Sequence, residues 1–186
     1  ILPTLSRHHV ATDREGFSRA LDWGLRSTLL VALPAMVGLV MLAKPLLFTL
    51  LQYGAFTAHD VNMASMSLSA LALGLPAFAL VKVVAPAFYA RQDTKTPVII
   101  GVIAMGLNVV FSIWFSQLFA QIGWYPLGGL ALANSLATAL EAVALFIFMR
   151  KRLNGIEGKS IASGFLQASG GALTMTSILL LWLRLI

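Results

Sequence analysis

Residues 27–43 read STLLVALPAMVGLVMLA and contain no charged side chain. A second uncharged stretch, PVIIGVIAMGLNVVFSIW, occupies residues 97–114. Hydrophobic residues make up 59% of the 186-residue chain and charged residues 11%, whereas ordinary soluble domains contain about 25% charged residues. A water-soluble fold would need charge on every exposed face, so these stretches predict helices that lie in lipid. We therefore expect an all-α integral membrane protein.

About five predicted transmembrane helices account for the apolar stretches. The second is longer than the roughly 20 residues that cross a bilayer and contains Pro76 and Pro86, so we expect it to tilt, kink or protrude. After the first comes Lys44-Pro45, followed by the short apolar stretch Leu46–Tyr53. This stretch is either a continuation of the helix or a shallow interfacial turn. The predicted spans are Leu25–Leu42, Thr57–Ala90, Pro97–Phe119, Leu127–Met149 and Ile161–Ile186.

Two of these spans begin with residues typical of helix starts. Thr57 and Asp60 have the spacing at which each side chain accepts a hydrogen bond from the other residue's backbone N–H. Thr96-Pro97 predicts an N-cap followed by proline at the first helical position.

Residues 1–24 are expected to hold the end of an upstream transmembrane helix and a cytoplasmic interfacial segment. Thr12 and Glu15 have the capping spacing for the start of a helix there. Phe17, Leu21 and Leu25 then recur every four residues, while charged residues occupy other faces. We expect this apolar stripe to lie on the membrane surface.

The Lys and Arg residues alternate between successive connections and so predict an orientation. By the positive-inside rule, the basic connections and the N-terminal end are cytoplasmic. The turns without basic residues and the C-terminal end are then external. Residues 1–26 hold four Lys or Arg, 52–60 none, 91–96 two, 120–126 none and 150–160 four.

The remaining composition argues against several functions. The net charge of +6 is confined to short clusters between apolar stretches, so we expect no nucleic-acid partner. There is no cysteine, and the histidines are not spaced with Asp or Glu as a metal site requires. No Ser–His–acid group or phosphate-binding loop is present in the sequence. We therefore expect no cofactor, no metal and no catalysed reaction.

Lys82 and Glu141 are ionisable residues inside predicted spans. A charge at the centre of a transmembrane helix costs about 2.5–3.5 kcal/mol, so such residues usually serve a function. We hypothesise that both face a water-filled cavity open to the cytoplasm, with Lys82 available to an anionic ligand and Glu141 balancing its charge. The alternatives are that Lys82 reaches to the interface and that Glu141 makes a structural hydrogen bond or is protonated.

Polar residues also share one face of each later span. Asn108 on the third span and Asn134 on the fourth are further candidates for lining a substrate cavity, and Tyr89 shares a helical face with Lys82. The alternative is helix–helix packing through small and hydrogen-bonding residues. The shared faces are Gly101, Met105, Asn108, Ser112 and Ser116; Asn134, Thr138 and Glu141; and Ser163, Gln167, Gly170, Thr174 and Ser177.

Three stretches of the sequence resemble the MurJ/MviN-type lipid II flippases, within the multidrug/oligosaccharidyl-lipid/polysaccharide exporter superfamily. They are Leu2-Pro3-x-Leu5-Ser6, QYGAFT at residues 52–57, and VKVVAPAFYARQDTKTP at residues 81–97. The resemblance covers about residues 1–155. The fifth predicted span matches by position and character only.

The resemblance implies a two-lobe helical bundle of which this chain forms part. Residues 25–155 would be four transmembrane helices of the C-terminal lobe, and 156–186 an additional helix of a lipid-tail groove, truncated after it. The two lobes would alternate access to a cation-lined cavity and so flip lipid II, the undecaprenyl-pyrophosphate-linked peptidoglycan precursor, across the bacterial inner membrane. The partners implied are lipid II, membrane lipids and an N-terminal lobe of the same protein.

Arg91 and Lys95 resemble the family's cytoplasmic basic turn, where they would attract anionic head groups or simply follow the positive-inside rule.

Two alternative functions remain open. One is export of a drug or another polyprenyl-linked saccharide by a member of the same superfamily. The other is a membrane scaffold that transports nothing.

Overall fold

The computed structural model describes residues 14–54, 56–153, 169–178 and 181, and every regular element in these ranges is a helix. The helices are α1 (Arg14–Leu51), α2 (Ala58–Leu73), α3 (Leu75–Ala90), α4 (Lys95–Ile122) and α5 (Pro126–Leu153). Residues 169–178 are also helical. The all-α prediction is therefore confirmed.

In the described part of the chain, α1, α4 and α5 are each long and apolar enough to cross a membrane, and α2 and α3, taken together as one bent span, make a fourth candidate. These four correspond to the first four predicted spans. Most of the fifth predicted span lies outside the described residues, apart from the helical residues 169–178 and Leu181. Helix α5 lies centrally and packs against α2, α3 and α4, while α1 packs against α2 and α3.

Helix α1 does not end at Lys44-Pro45. It runs for 38 residues with Pro34 and Pro45 inside it, so Leu46–Leu51 continue the helix and are not a separate interfacial turn. Pro45 is exposed on the surface of the bundle. A proline removes one backbone hydrogen bond and need not end a transmembrane helix.

The apolar stripe at the start of α1 packs against protein. Phe17, Leu21 and Leu25 are at most 1% exposed and form a core with side chains of α3 and α5, among them Phe88 and Leu145. The sequence predicted that this stripe would lie on the membrane surface. The periodicity of the stripe was correct, but a spacing of four residues cannot distinguish a lipid surface from neighbouring helices. Thr12 of the predicted helix start lies outside the described residues.

The second predicted span is kinked, as its prolines suggested. It breaks at Gly74, and α2 and α3 meet at an angle of 41°. Pro76 stands at the start of α3, where its missing N–H would have had no helical partner in any case. Pro86 lies inside α3 without a break. The predicted cap of α2 is confirmed, since the Thr57 and Asp60 side chains each accept from the other's backbone N–H, at 3.4 and 2.8 Å.

The start of α4 differs from the prediction. The helix begins at Lys95, and the capping acceptor is Asp93, whose carboxylate accepts from the Thr96 backbone N–H at 3.1 Å and from its hydroxyl at 2.7 Å. The prediction of Thr96 as N-cap was therefore wrong. The N-cap residue is Thr94, whose side chain makes no capping bond, and the carboxylate of Asp93, one residue earlier, is the acceptor in its place. Pro97 still lies in the first turn, where no helical N–H bond is lost.

Side-chain contacts join the connections at each end of the bundle. At one end, Tyr125 in the α4–α5 connection lies 3.4 Å from His59 at the start of α2. At the other end, Asp93 in the α3–α4 turn pairs with Arg152 near the end of α5. The turns that contain basic residues are thus at the opposite end from those that do not. This grouping is the one that the charge alternation requires.

Candidate functional site: a polar cavity between two helices

A cavity of about 410 Å³ separates part of α4 from α5. Its lining combines the polar faces of the two helices, which the sequence identified separately. The apolar part of the lining consists mainly of small and aliphatic side chains from α4. The lining residues are Val98, Gly101, Val102, Ala104, Met105, Asn108, Asn134, Ala137, Thr138 and Glu141.

Two of the predicted site residues, Asn108 and Asn134, are hydrogen-bonded to each other across this interface. Asn108 Nδ2 donates to Asn134 Oδ1 at 2.7 Å, and Ser112 Oγ donates to Asn108 Oδ1 at 3.0 Å. Such bonds between transmembrane helices contribute about 0.6 kcal/mol each on average. The amides therefore hold α4 against α5 and also present polar atoms to the cavity.

Glu141 lies toward one end of the same cavity and is partly buried. A Cβ placed on Gly101 would be 3.7 Å from Glu141 Oε1, so the carboxylate lies over this glycine. Because Gly101 has no side chain, the Glu141 carboxylate fits between α4 and α5 at this position.

Lys82 is an exposed residue of α3 and is not among the residues that line the cavity. It is close enough to act electrostatically on the carboxylate of Glu141. Within the described residues, no ion pair or hydrogen bond joins the two side chains. The structure thus brings Lys82 and Glu141 near each other without pairing them.

The other predicted site residues lie outside the cavity, toward the end of the bundle that carries the basic residues. Tyr89 is 48% exposed near the end of α3. Arg91 ends that helix through its backbone N–H, which donates to Phe88 O at 3.0 Å. Lys95 is the first residue of α4 and is exposed. The turn that contains Arg91 and Lys95 is therefore adjacent to α3 and α4 but separate from the polar cavity.

Asp93 organises this turn, although the sequence analysis did not select it as a site residue. It pairs with Arg152, whose Nη2 also donates to Thr96 Oγ1 at 3.2 Å. The hydrogen bond from the Thr96 side chain, together with the nearby Arg152 charge, holds the pKa of Asp93 below its ordinary value. Asp93 therefore stays ionised at neutral pH and connects the α3–α4 turn to the end of α5.

A second contact that the sequence analysis missed is at the α2–α3 break. Ser135 Oγ on α5 donates to the Ala70 carbonyl of α2 at 2.6 Å. A Cβ added to Gly74 would come within 2.7 Å of Ser135 Oγ and 2.9 Å of its Cα. The sequence Gly74-Leu75-Pro76 signals a break, but which residue of which helix would lie against it was not predictable.

Comparison with known proteins identifies the family of this fold. The family model described as Lipid II flippase MurJ matches residues 1–186.

The chain belongs to the lipid II flippase MurJ family.

Individual members of the MurJ family agree with this assignment. A probable lipid II flippase MurJ of Vibrio cholerae is 45% identical over 146 residues, which cover 78% of this chain and 27% of that protein. The lipid II flippase MurJ of Burkholderia cenocepacia is 37% identical over 179 residues, which cover 96% of this chain and 34% of that protein. The chain thus spans between a quarter and about a third of the length of these relatives.

A solved structure of a lipid II flippase MurJ in an inward closed conformation has the same fold. It aligns with a TM-score of 0.74 and 28% sequence identity, over 92% of this chain and 35% of that chain. The resemblance seen in the sequence is therefore confirmed, and the chain is part of a multi-pass MurJ-type membrane protein. MurJ is a flippase family and not a family of enzymes.

Proposed function

We propose that this chain forms part of the C-terminal lobe of a flippase. The whole protein would carry lipid II across the bacterial inner membrane by alternating access. The chain would contribute residues 25–155 as four helices of that lobe and residues 156–186 as an additional helix of the lipid-tail groove. The names of the matching relatives support lipid II as the substrate.

The observation that carries the proposal is the pair of opposite charges, Lys82 and Glu141, on neighbouring membrane helices. Lys82 is exposed on the surface of the described bundle. Exposure of an ammonium group to acyl chains at mid-membrane would cost about 2.5–3.5 kcal/mol. A hydrated vestibule or an anionic ligand beside Lys82 removes that cost, and either one suits a transporter.

The chemistry of a diphosphate fits such a vestibule. Its oxygens are strong acceptors, and a fixed ammonium group in surroundings of low dielectric attracts it far more strongly than in water. Glu141 lies on α5, which packs against the helix of Lys82, and its carboxylate would balance the charge of Lys82 when no ligand is bound. The basic turn with Arg91 and Lys95 would lie on the cytoplasmic side, where it would attract the anionic head group before transport. The C-terminal end of the chain would then be external.

The test is Lys82→Gln in the full-length protein, assayed for lipid II flipping in vesicles and for complementation of a strain depleted of its own flippase. A hydrogen bond to a charged group contributes about 1.5–3 kcal/mol, so we expect flipping to slow by about 10- to 100-fold. Lys44→Gln is the matched control, because Lys44 is an exposed lysine of α1. Unchanged flipping by a folded Lys82→Gln protein would refute the role of this lysine.

The choice of substrate needs a separate measurement. Binding of lipid II to the purified full-length protein is compared with binding of another polyprenyl-linked saccharide. Preference for lipid II supports the proposal, whereas preference for the other saccharide would assign the protein to a different exporter of the same superfamily.

A further inference from the structure

The turn between α3 and α4 is anchored to the core through its backbone. The Gln92 N–H donates to Tyr89 O at 2.9 Å, and the Asp93 N–H donates to Phe88 O at 3.1 Å. This pair of bonds closes a helix through one residue in the left-handed conformation, which here is Gln92 with a φ of 58°. Phe88 is fully buried in the core that α3 forms with α1 and α5. The backbone of the turn is therefore held by a residue that packs against two other helices.

Side-chain contacts of Asp93 hold the same turn from the other side. Glycine is the usual residue at the left-handed position, so Gln92 keeps this conformation only where neighbouring contacts fix the backbone. The Asp93 carboxylate accepts from the backbone N–H and the hydroxyl of Thr96 on α4. It also pairs with Arg152 on α5, whose Nη2 donates to Thr96 Oγ1 at 3.2 Å. One carboxylate thus joins the turn to α4 and to the end of α5.

The turn carries two positive charges, one on each side of Asp93. Arg91 and Lys95 are each two residues away from it in the sequence, and Lys95 is exposed at the first position of α4. The contacts of Asp93 therefore fix the backbone from which both basic side chains extend. A charge held by a fixed backbone binds an anion more tightly than one on a mobile loop, because less freedom is lost on binding.

We propose that Asp93 is a positioning residue for the basic turn of Arg91 and Lys95. Its contacts with α4 and α5 hold the turn in the position from which the two basic residues capture the anionic head group. The inference rests on the proposed function, which assigns this capture to the basic turn. The Asp93 carboxylate is itself negative and repels the head group. Its charge therefore opposes the capture that its contacts assist, and the two effects have opposite signs in a binding measurement.

The experiment measures lipid II binding and flipping by the full-length protein with Asp93→Asn. If Asp93 acted only through its charge, the substitution would strengthen binding by about twofold for each unit charge about 10 Å away in water. If Asp93 positions the turn, binding weakens instead. We expect binding to weaken by about tenfold, which corresponds to the loss of one hydrogen bond to a charged group. The KM for flipping should rise by the same factor while kcat changes little, because capture precedes transport.

Arg152→Lys tests the same contact without changing any charge. Lysine keeps the positive charge but lacks the forked guanidinium that contacts Asp93 and Thr96 at once. We expect this variant to weaken lipid II binding as Asp93→Asn does, and it replaces Asp93→Asn if that protein does not fold. Arg150→Lys is the control, because Arg150 is an exposed residue of the same last turn of α5. It should leave binding unchanged.

Asp60→Asn separates positioning of the turn from a general loss of stability. Asp60 caps α2 much as Asp93 caps α4, since its carboxylate accepts from the backbone N–H of Thr57 at 2.8 Å and from its hydroxyl at 2.7 Å. It lies at the end of the bundle opposite to the basic turn, next to the contact between His59 and Tyr125. We expect Asp60→Asn to leave lipid II affinity unchanged. Amide hydrogen exchange of residues 91–96 should accelerate in Asp93→Asn and not in Asp60→Asn.

Three results would overturn the inference while leaving the proposed function intact. The first is unchanged or stronger lipid II binding by Asp93→Asn, and the second is unchanged binding by Arg152→Lys. The third is equal weakening of binding by Asp60→Asn, which would indicate a general effect of lost stability. Lys95→Gln tests the proposed function separately, because it removes a charge of the basic turn itself. If Lys95→Gln leaves lipid II binding unchanged, the capture step of the proposed function fails, and the inference fails with it.

Discussion

Helix α1 and the α2–α3 pair both contain prolines, but only the pair is broken. Helix α1 continues from Arg14 to Leu51 across Pro34 and Pro45. The pair separates at Gly74, two residues before Pro76, with an angle of 41° between its halves. Each proline removes one backbone donor. The loss of a single hydrogen bond therefore does not distinguish the two regions.

What distinguishes the broken pair is its contact with α5 at the break. At the break, the Gly74 N–H donates to Leu71 O at 3.0 Å, so the Ala70 carbonyl loses the partner that a continuous helix would supply. Ser135 of α5 takes that place. Gly74, lacking a side chain, allows α5 to come close enough for this bond. A proline break in a membrane thus persists where an adjacent helix fits against it and satisfies the freed carbonyl.

Among the substitutions that test this comparison, Gly74→Ala should reduce stability the most. The added Cβ would come within 2.9 Å of the Ser135 Cα, and backbone atoms cannot move aside as easily as the end of a side chain. We expect the full-length protein to lose about 1–3 kcal/mol of stability from overpacking, measured as the free energy of unfolding in detergent. Gly106→Ala is the control, since a Cβ there meets no atom within 4 Å. Equal stability of the two variants would contradict the close-packing argument.

Ser135→Ala tests the hydrogen bond without adding volume. The Ala70 carbonyl would lose its partner from α5, and bonds of this kind between membrane helices contribute about 0.6 kcal/mol on average and up to about 1.7 kcal/mol. We expect a loss in this range. Ser67→Ala should have almost no effect, because Ser67 Oγ donates only to Met63 O of its own helix at 3.1 Å. If both serines proved equally dispensable, Ser135 would not stabilise the break.

Asp93→Asn tests whether the α2–α3 geometry depends on the contact at the end of the bundle. The substitution removes the charge that pairs with Arg152. We expect a smaller loss of stability than for Ser135→Ala, because the Arg152 side chain is 46% exposed and exposed ion pairs contribute little. A larger loss than that of Ser135→Ala would show that the end contact, and not the break, positions α3.

The pH dependence of this effect has a definite sign. The pKa of Asp93 is lowered in the folded state, mainly by Thr96. Its contribution to stability is therefore complete above about pH 4, the ordinary range of an aspartate, and is lost as the pH falls through the lowered folded-state pKa. The difference in stability between wild type and Asp93→Asn should be constant from about pH 5 to 8 and shrink below about pH 4. A difference that changed near neutral pH would contradict this assignment.

Pro45→Ala should have the smallest effect. Pro45 is exposed and α1 is already continuous there, so we expect a change in stability within about 0.5 kcal/mol. The distance between spin labels placed on either side of residue 45 should also stay the same. A clear change in that distance would show that Pro45 shapes α1, contrary to the comparison with Gly74.

Much of the architecture was predictable because hydropathy and charge are local properties of the chain. The uncharged stretches placed four described spans, and Pro76 indicated the kink. The polar periodicity selected Asn108, Asn134 and Glu141, which line one cavity. Two predictions were wrong: Thr96 as the N-cap of α4, and the membrane surface as the contact of the stripe Phe17, Leu21 and Leu25. In both cases the local sequence pattern is compatible with more than one contact partner. The role of Lys82 in binding substrate stays a prediction.

The sequence by itself determined that the chain is a bundle of membrane helices, which helix faces are polar, and which connections are basic. It also carried the resemblance to the MurJ family. Only the tertiary structure decided that α4 and α5 bring their polar faces together and that Ser135 meets the α2–α3 break. These contacts join residues that are 26 and 65 positions apart in the sequence. No periodicity within a single helix specifies which other helix will lie against it.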